Sequence, residues 1–312
     1  MDRLSTAPPR AGFGLLQICL AGVLWGTGGL AVHVIREAEP MSVVTISAWR
    51  MVIGAVALLV AVGVVRQLGP LVDLVRRHPG RVVVIGVATA TYQALYFAAV
   101  VAVGVTVSTV VSLGLAPMIV TVVESIRRKR RPSAGDVLVL AAALVGLVLV
   151  SVSAGSAGGP HPVAGVLASI GSGTAYALTT LIGHGLAQST RPLCLATAST
   201  TVGAIALTPL ALITGLSVGS WGDPVVAGTL VYLGVLTMAV AYLLFYAGLR
   251  TAPGSSAVIA TLLEPLTAAV LAAVVLDERL GPAGLVGGAL ILAAVAGLGW
   301  RPATTPIASP AP

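Results

Sequence analysis

Of 312 residues, 57% are hydrophobic and only 9% charged; the mean hydropathy is +1.04 and the formal net charge +7. Soluble domains carry about 25% charged residues, so no water-facing fold hides this much apolar surface, and the surrounding solvent is lipid. The positive balance does not mark a nucleic-acid binder, because the basic residues lie in loops between apolar stretches and build no basic face.

Ten apolar stretches, each near the ~20 residues a bilayer requires, run over 14–35, 41–64, 82–102, 105–126, 135–153, 163–187, 192–215, 225–247, 253–275 and 281–299. The first follows Arg3 and Arg10, as the core of a signal peptide would. Its length and the lack of a small-x-small cleavage site read as an uncleaved helix. Connections are short, and the longest, at 65–81, is expected as a loop carrying Arg66, Arg76, Arg77 and Arg81. A linker at 154–162 divides the chain into halves of five spans, 14–153 and 163–299. They are flanked by a tail at 1–13 and a Pro/Thr/Ala-rich, disordered tail at 300–312. Cys19 and Cys194 sit inside apolar stretches, which speaks against a disulfide or metal framework, and no cofactor is expected.

Charge orients the spans. With both termini in the cytoplasm, the inner segments hold Arg3, Arg10, the four arginines of 66–81, the basic run Arg127 to Arg131, Arg191, Arg250 and Arg301. The outer segments hold only Arg36 and Arg279, and Arg50 lies within a span. This asymmetry is the positive-inside pattern of a multi-pass protein of the inner (plasma) membrane.

The chain also repeats itself. Phe97 to Pro117 matches Phe245 to Pro265 at a constant offset of 148, with Phe97/Phe245, Ala99/Ala247, Ser108/Ser256, Val110/Val258 and Pro117/Pro265 identical. Continued, the basic Arg128–Arg131 run falls on Leu276-Asp277-Glu278-Arg279. At offset 151, Gly14, Leu16, Gly22 and His33 meet Gly165, Leu167, Gly173 and His184, and Trp25 meets Tyr176. Gly54 meets Gly203 at offset 149. Opposite loop charge and an odd number of spans per repeat place the two copies upside down relative to each other. The expected fold is an all-α membrane protein of ten transmembrane helices in two inverted five-helix repeats, an arrangement common among secondary transporters.

The segment Leu263-Glu264-Pro265-Leu266, followed by Leu276-Asp277-Glu278-Arg279-Leu280, resembles the second-half signature of EamA-type transporters of the drug/metabolite transporter superfamily. That signature is an EP step followed by a helix end of the LGE-x-L kind. Trp25-Gly26 and Arg50 resemble its first half. The resemblance covers 14–299 and implies a ten-helix inverted-repeat fold that moves small organic solutes. Arg130 stands where the resemblance expects an acidic residue at the end of the fourth span, so no carboxylate role carries over there.

Several polar residues stand out inside the spans. Glu264 lies midway along the ninth, where a charge costs about 2.5–3.5 kcal/mol on insertion scales. Such a residue faces a bundle interior or a wet cavity, so Glu264 is a candidate substrate contact and proton-coupling group. Its bland reading is a carboxyl bonded to carbonyls freed by Pro265. By helical spacing Ser256, Glu264 and Thr267 share a face. Pro117 and Pro265, one per repeat, are expected to interrupt their helices equivalently and to act as gating positions. Arg50 and Glu124 are read first as structural charges: Arg50 snorkelling, capping a carbonyl or neutralising an acid, Glu124 pairing with Arg127 or Arg128.

Thr89, Gln93 and Tyr96 form a stripe at i, i+4, i+7. Together with Trp25, Tyr176, Tyr242 and Glu264 they are the candidate substrate-binding set, suited to an amphipathic solute. Core packing and an aromatic belt compete with that reading for each residue alone. Gly26 to Ala31 fits a dinucleotide fingerprint and Gly215 to Gly219 a nucleophile elbow, but neither has the strand context its chemistry needs. The expected protein is therefore not an enzyme. It is a secondary transporter, and an exporter, of small organic solutes such as amino acids, metabolites or drugs. It works by alternating access with protons as coupling ions, as a monomer or homodimer within the lipid bilayer. A lipid-modifying membrane enzyme and a non-transporting receptor or scaffold are the rival readings.

Overall fold

The computed structural model describes residues 11–153, 160–213, 215, 219–275 and 281–299. The two tails, most of the 154–162 linker, the Asp277–Glu278 turn and the Gly215–Gly219 motif therefore lie wholly or largely outside the described residues. Helix dominates, and no strand occurs among the described residues. The first half comprises α1 (Ala11–Gly26), α2 (Gly28–Ala38), α3 (Val43–Val64), α4 (Leu68–Arg77), α5 (Pro79–Val103), α6 (Val105–Arg127) and α7 (Ala134–Ser153). The second comprises α8 (Pro162–Ala187), α9 (Pro192–Ile213), α10 (Pro224–Tyr232), a π-helical stretch (Leu233–Val240), α11 (Ala241–Gly248), α12 (Gly254–Ala260), α13 (Leu263–Val275) and α14 (Pro282–Gly299). Among the described residues, nine helical spans are long and apolar enough to cross a membrane, and Pro282–Leu298 is a shorter apolar helix.

Local chemistry sets the helix ends. Ser42 caps α3, its hydroxyl accepting from the Thr45 N–H at 3.1 Å, and Asp223 caps α10, accepting from the Val225 N–H at 2.7 Å. Ser133 and Asp136 cap α7 reciprocally, with bonds of 2.9 and 3.1 Å. Proline opens α5, α8 and α10, where a missing N–H costs nothing. Gly104 joins α5 to α6 at φ +90°, a conformation closed to most side chains. Inside the spans, hydroxyls return to the helix backbone: Thr89 donates to the Ile85 carbonyl at 2.8 Å and Thr237 to the Leu233 carbonyl at 2.7 Å.

Three expectations are revised. The 65–81 connection is not all loop but contains α4. Its Leu68, Leu71, Val72 and Val75 follow helical spacing, Leu74 is buried against the bundle, and Arg76 and Arg77 sit in the last turn, where the helix dipole favours cations. The prolines do not interrupt their helices equivalently, because α6 runs unbroken through Pro117. The ninth span breaks at Thr261–Leu262 between α12 and α13, and the first span, which has no proline there, breaks at Thr27. The eighth span is not uniformly α-helical: it widens to π geometry over Leu233–Val240, a distortion often found at functional sites.

The helices pack through glycines, and the contacts recur in pairs. A Cβ on Gly86 of α5 would lie 2.5 Å from the Val202 Cβ and 2.8 Å from the Ser199 carbonyl of α9. Its counterpart Gly234 is covered in the same way by Ile53 and the Arg50 carbonyl of α3, at positions 149 residues before Val202 and Ser199. Gly14 is covered by Thr251 and Gly165 by Val103. Gly22 approaches the Ala260 carbonyl and Gly173 the Ser112 carbonyl. Gly146 of α7 and Gly287 of α14 face each other, each added Cβ meeting the other's carbonyl at 2.6 and 2.7 Å. Small residues let helix backbones approach in lipid, where no hydrophobic force drives helices together. Val60, Val101, Leu138 and Ile205 are exposed on the periphery, while Tyr246, Phe245, Ile18, Met51 and Ile85 are fully buried.

Candidate functional site

A cavity of about 500 Å³ lies among α1, α2, α3, α5, α6, α7 and α13. It reaches from the middle of the spans to the end of the bundle where α2 meets α3. Trp25, Arg50, Tyr92, Gln93 and Glu264 line its deep part, and Tyr96, Phe97, Thr109 and Leu113 its wall. His33, Arg36, Val43, Val105 and Ser153 stand at the mouth.

The two helix breaks shape this space. At Thr27 the hydroxyl donates to the Leu24 carbonyl at 2.7 Å and accepts from the Tyr232 hydroxyl at 2.6 Å. This holds the α1–α2 junction while Gly26, Gly28 and Gly29 line the cavity. A Cβ on Gly26 would meet the Glu264 carbonyl and Thr267 Cβ, each at 2.5 Å, so only glycine lets the first and ninth spans come this close. Just before Glu264 the chain turns tightly, with Leu262 N–H donating to Ile259 at 3.1 Å and Glu264 N–H to Thr261 at 2.9 Å. That turn places Glu264 and Pro265 on the cavity. It also breaks the helical register by which Ser256 was expected to share their face.

Of the expected binding residues, Trp25, Gln93, Tyr96 and Glu264 line the cavity, as does Pro265. Thr89, Tyr176 and Tyr242 do not. Thr89 is spent on its own helix. The other two stand behind the lining: Tyr176 stacks on Tyr92 with centroids 5.2 Å apart, and Tyr242 meets Trp25 edge-on at 5.2 Å. Arg50, read as a structural charge, also lines the cavity, whereas Pro117 and Glu124 lie outside the lining. His33, matched to His184 in the repeat, is half-exposed and 3.2 Å from Glu37. Sequence reasoning missed Tyr92 and Phe97. On α5 the lining face is Tyr92, Gln93, Tyr96, Phe97 and Val100, at i, i+1, i+4, i+5, i+8, and the polar stripe from Thr89 crossed it obliquely.

Several polar groups here are left without a partner. The Arg50 Nε, Trp25 Nε1 and Gln93 Oε1 atoms are buried without a hydrogen-bond partner. Tyr96 and Thr109 share a hydroxyl bond of 2.8 Å, and the Gln93 amide donates to the Met51 sulfur at 3.5 Å. Arg50 and Glu264 line the same cavity, yet no ion pair within 4.0 Å joins them. Two opposite charges held apart in a small aromatic chamber, with two donors and an acceptor unspent, offer contacts complementary to a dipolar organic molecule. No group of three or more His, Cys, Asp or Glu able to hold a metal occurs among the described residues.

The fold and cavity define a multi-pass helical membrane protein with a solute-sized chamber lined by first-half helices and by α13 of the second half. The chain matches the EamA-like transporter family twice, over residues 12–152 and 163–300, and belongs to that family of membrane transporters of the drug/metabolite type. It is 34% identical over 284 residues to a Bacillus subtilis (strain 168) protein described as uncharacterized transporter YwfM, an alignment covering 89% of this chain and 90% of the other. One crystal structure shares its fold with a TM-score of 0.78 at 19% identity, covering 93% of this chain and 96% of the other.

Proposed function

We propose that the protein is a secondary transporter that carries small organic solutes out across the inner membrane by alternating access. The single observation behind this reading is the cavity that places Arg50 and Glu264 on one chamber without pairing them. A solute with an anionic and a cationic end satisfies both, and Trp25, Tyr92, Tyr96 and Phe97 cover its apolar part. Amino acids, dipolar metabolites and drugs all have this form.

Ten spans in two inverted repeats, with both termini cytoplasmic, complete the reading. The recurrent glycine contacts are those that a pseudo-twofold axis would generate, and the one-sided distribution of Arg and Lys sets the orientation. The chamber mouth then faces outward. Among the described residues Glu264 is the one carboxylate on the chamber, and it is the proton-coupling group, with Pro265 and the Thr261–Leu262 break as the flexing point of the ninth span.

Flux in proteoliposomes tests this reading. The wild type accumulates a dipolar solute under an imposed pH gradient. Glu264→Gln, which keeps shape but cannot titrate, loses that gradient-driven component while solute exchange continues. Undiminished pH-driven flux in the variant removes the coupling role. No flux of any solute for a folded wild type removes the transporter reading.

A further inference from the structure

Among the described residues the chamber opens toward the α2–α3 end, and the opposite, closed end of the bundle is fastened by a residue that the transport reading leaves unused. Glu124, near the end of α6, is partly buried, its side chain 13% exposed. Its Oε1 accepts from the Gly254 N–H at 2.9 Å and its Oε2 from the Ser255 hydroxyl at 2.7 Å. Arg128, one turn on, is 3.8 Å away. The expected partner on its own helix is thus the longest of these contacts, and both short ones cross to α12 in the second half.

Gly254 is the first residue of α12, where an N–H has no partner within the helix. A Cβ there would come within 2.9 Å of the carboxylate oxygen, so the glycine leaves room for the bond. The bonds lie beyond the chamber's floor, where Tyr176 and Thr261 share a hydroxyl bond of 2.8 Å. Nearby, Gln188 donates to the Leu249 carbonyl at 2.8 Å.

The repeat says what the same place looks like at the open end. At offset 148, Gly254 corresponds to Thr106 and Glu124 to Ala272. Thr106 and Ala272 both line the open chamber. The pair of elements joined by a carboxylate at the closed end is therefore present at the open end without one.

We propose that Glu124 is a latch that holds the α6–α12 end shut, and that alanine at 272 leaves the opposite end unfastened, so that the protein rests with its chamber open at the α2–α3 end. Turning the chamber over requires the Glu124 bonds to Gly254 and Ser255 to break. This rests on the alternating-access reading but concerns which mouth is open, and it is measured without substrate.

The test is thiol labelling by a membrane-impermeant maleimide in right-side-out and inverted vesicles, in a background with Cys19 and Cys194 replaced by alanine. Gly29→Cys reports the open mouth, since a side chain there meets nothing within 4 Å. Ala116→Cys, at a position with 0% exposure, reports the closed side. Glu124→Ala is expected to raise Ala116→Cys labelling from the far side at least threefold and to lower Gly29→Cys labelling. Ser255→Ala, which removes one bond and leaves the carboxylate in place, gives a smaller change in the same direction. Ala272→Glu, which restores the missing carboxylate, is expected to lower Gly29→Cys labelling without raising that of Ala116→Cys. Unchanged labelling at both reporters in Glu124→Ala and Ser255→Ala, or a rise at both, overturns the latch. Unchanged Gly29→Cys labelling in Ala272→Glu overturns the role given to the missing carboxylate. Failure of solute flux with the labelling shifts intact counts against the transport reading and not against the latch.

Discussion

The two halves share a scaffold but not a chemistry. Gly86 and Gly234, Gly14 and Gly165, and Gly22 and Gly173 occupy matching positions and make matching contacts. The charged and amide residues of the chamber, and Tyr92, have no such partners. Arg50 corresponds to Ser199, Tyr92 to Val240, Gln93 to Ala241 and Glu264 to Ala116. Close helix approach is needed wherever helices pack, so both copies keep their glycines. A charge in a lipid-embedded bundle is costly, so it is not kept in both copies without a use for both. Symmetry here belongs to packing, and asymmetry to the chamber lining.

This comparison can be broken most severely by moving the carboxylate. Combining Glu264→Ala with Ala116→Glu keeps the number of acids and places one at the repeat-equivalent site. Proton-driven flux is expected to fall more than tenfold and to stay lost, since Ala116 is fully buried outside the chamber lining. Restored flux shows the halves to be interchangeable and removes the asymmetric-site argument.

Giving Arg50 its counterpart's identity comes next. Arg50→Ser removes charge-assisted bonds of about 1.5–3 kcal/mol, so the half-saturation concentration for a carboxylate-bearing solute should rise about ten- to hundredfold. Arg50→Lys recovers part of this. A solute without an anionic group should be little affected, and equal losses for both solute types point to a structural arginine.

Two paired substitutions sharpen the symmetric side. Gly86→Ala and Gly234→Ala each drive a methyl against a neighbouring helix, at a cost of about 1–3 kcal/mol. Their thermal midpoints in the same detergent should fall by similar amounts. A large drop in one alone separates the two interfaces. Thr89→Val and Thr237→Val, which remove equivalent bonds to the preceding turn, should each cost at most about 1 kcal/mol in chemical unfolding. The smallest effect is thus the most closely matched.

Much of the scaffold was legible in the sequence because lipid imposes simple rules. Span length follows from bilayer thickness, and all the expected apolar stretches coincide with helix within a few residues. Exceptions occur where local chemistry outweighs the average: α4 forms within a connection because its apolar residues fall on one face, and Pro117 passes through α6 without interrupting it. The site was only partly legible. Trp25, Gln93, Tyr96 and Glu264 were identified by being polar or aromatic within a span. Tyr176 and Tyr242 satisfied the same criterion and proved to be the layer behind.

The sequence by itself determined that this chain lives in lipid, where its spans begin and end, and that its halves are copies, because hydropathy, loop charge and repeat offsets are properties of residues in order. Only the tertiary structure decided that Arg50 and Glu264 share one chamber, that the first span is interrupted at Thr27, and that Glu124, besides pairing with Arg128 on its own helix, reaches across to Gly254. Those relations depend on how closely two helices approach. That distance is set by the absence of a side chain at Gly26 and Gly254 acting on neighbours more than a hundred residues away, a constraint no linear pattern carries.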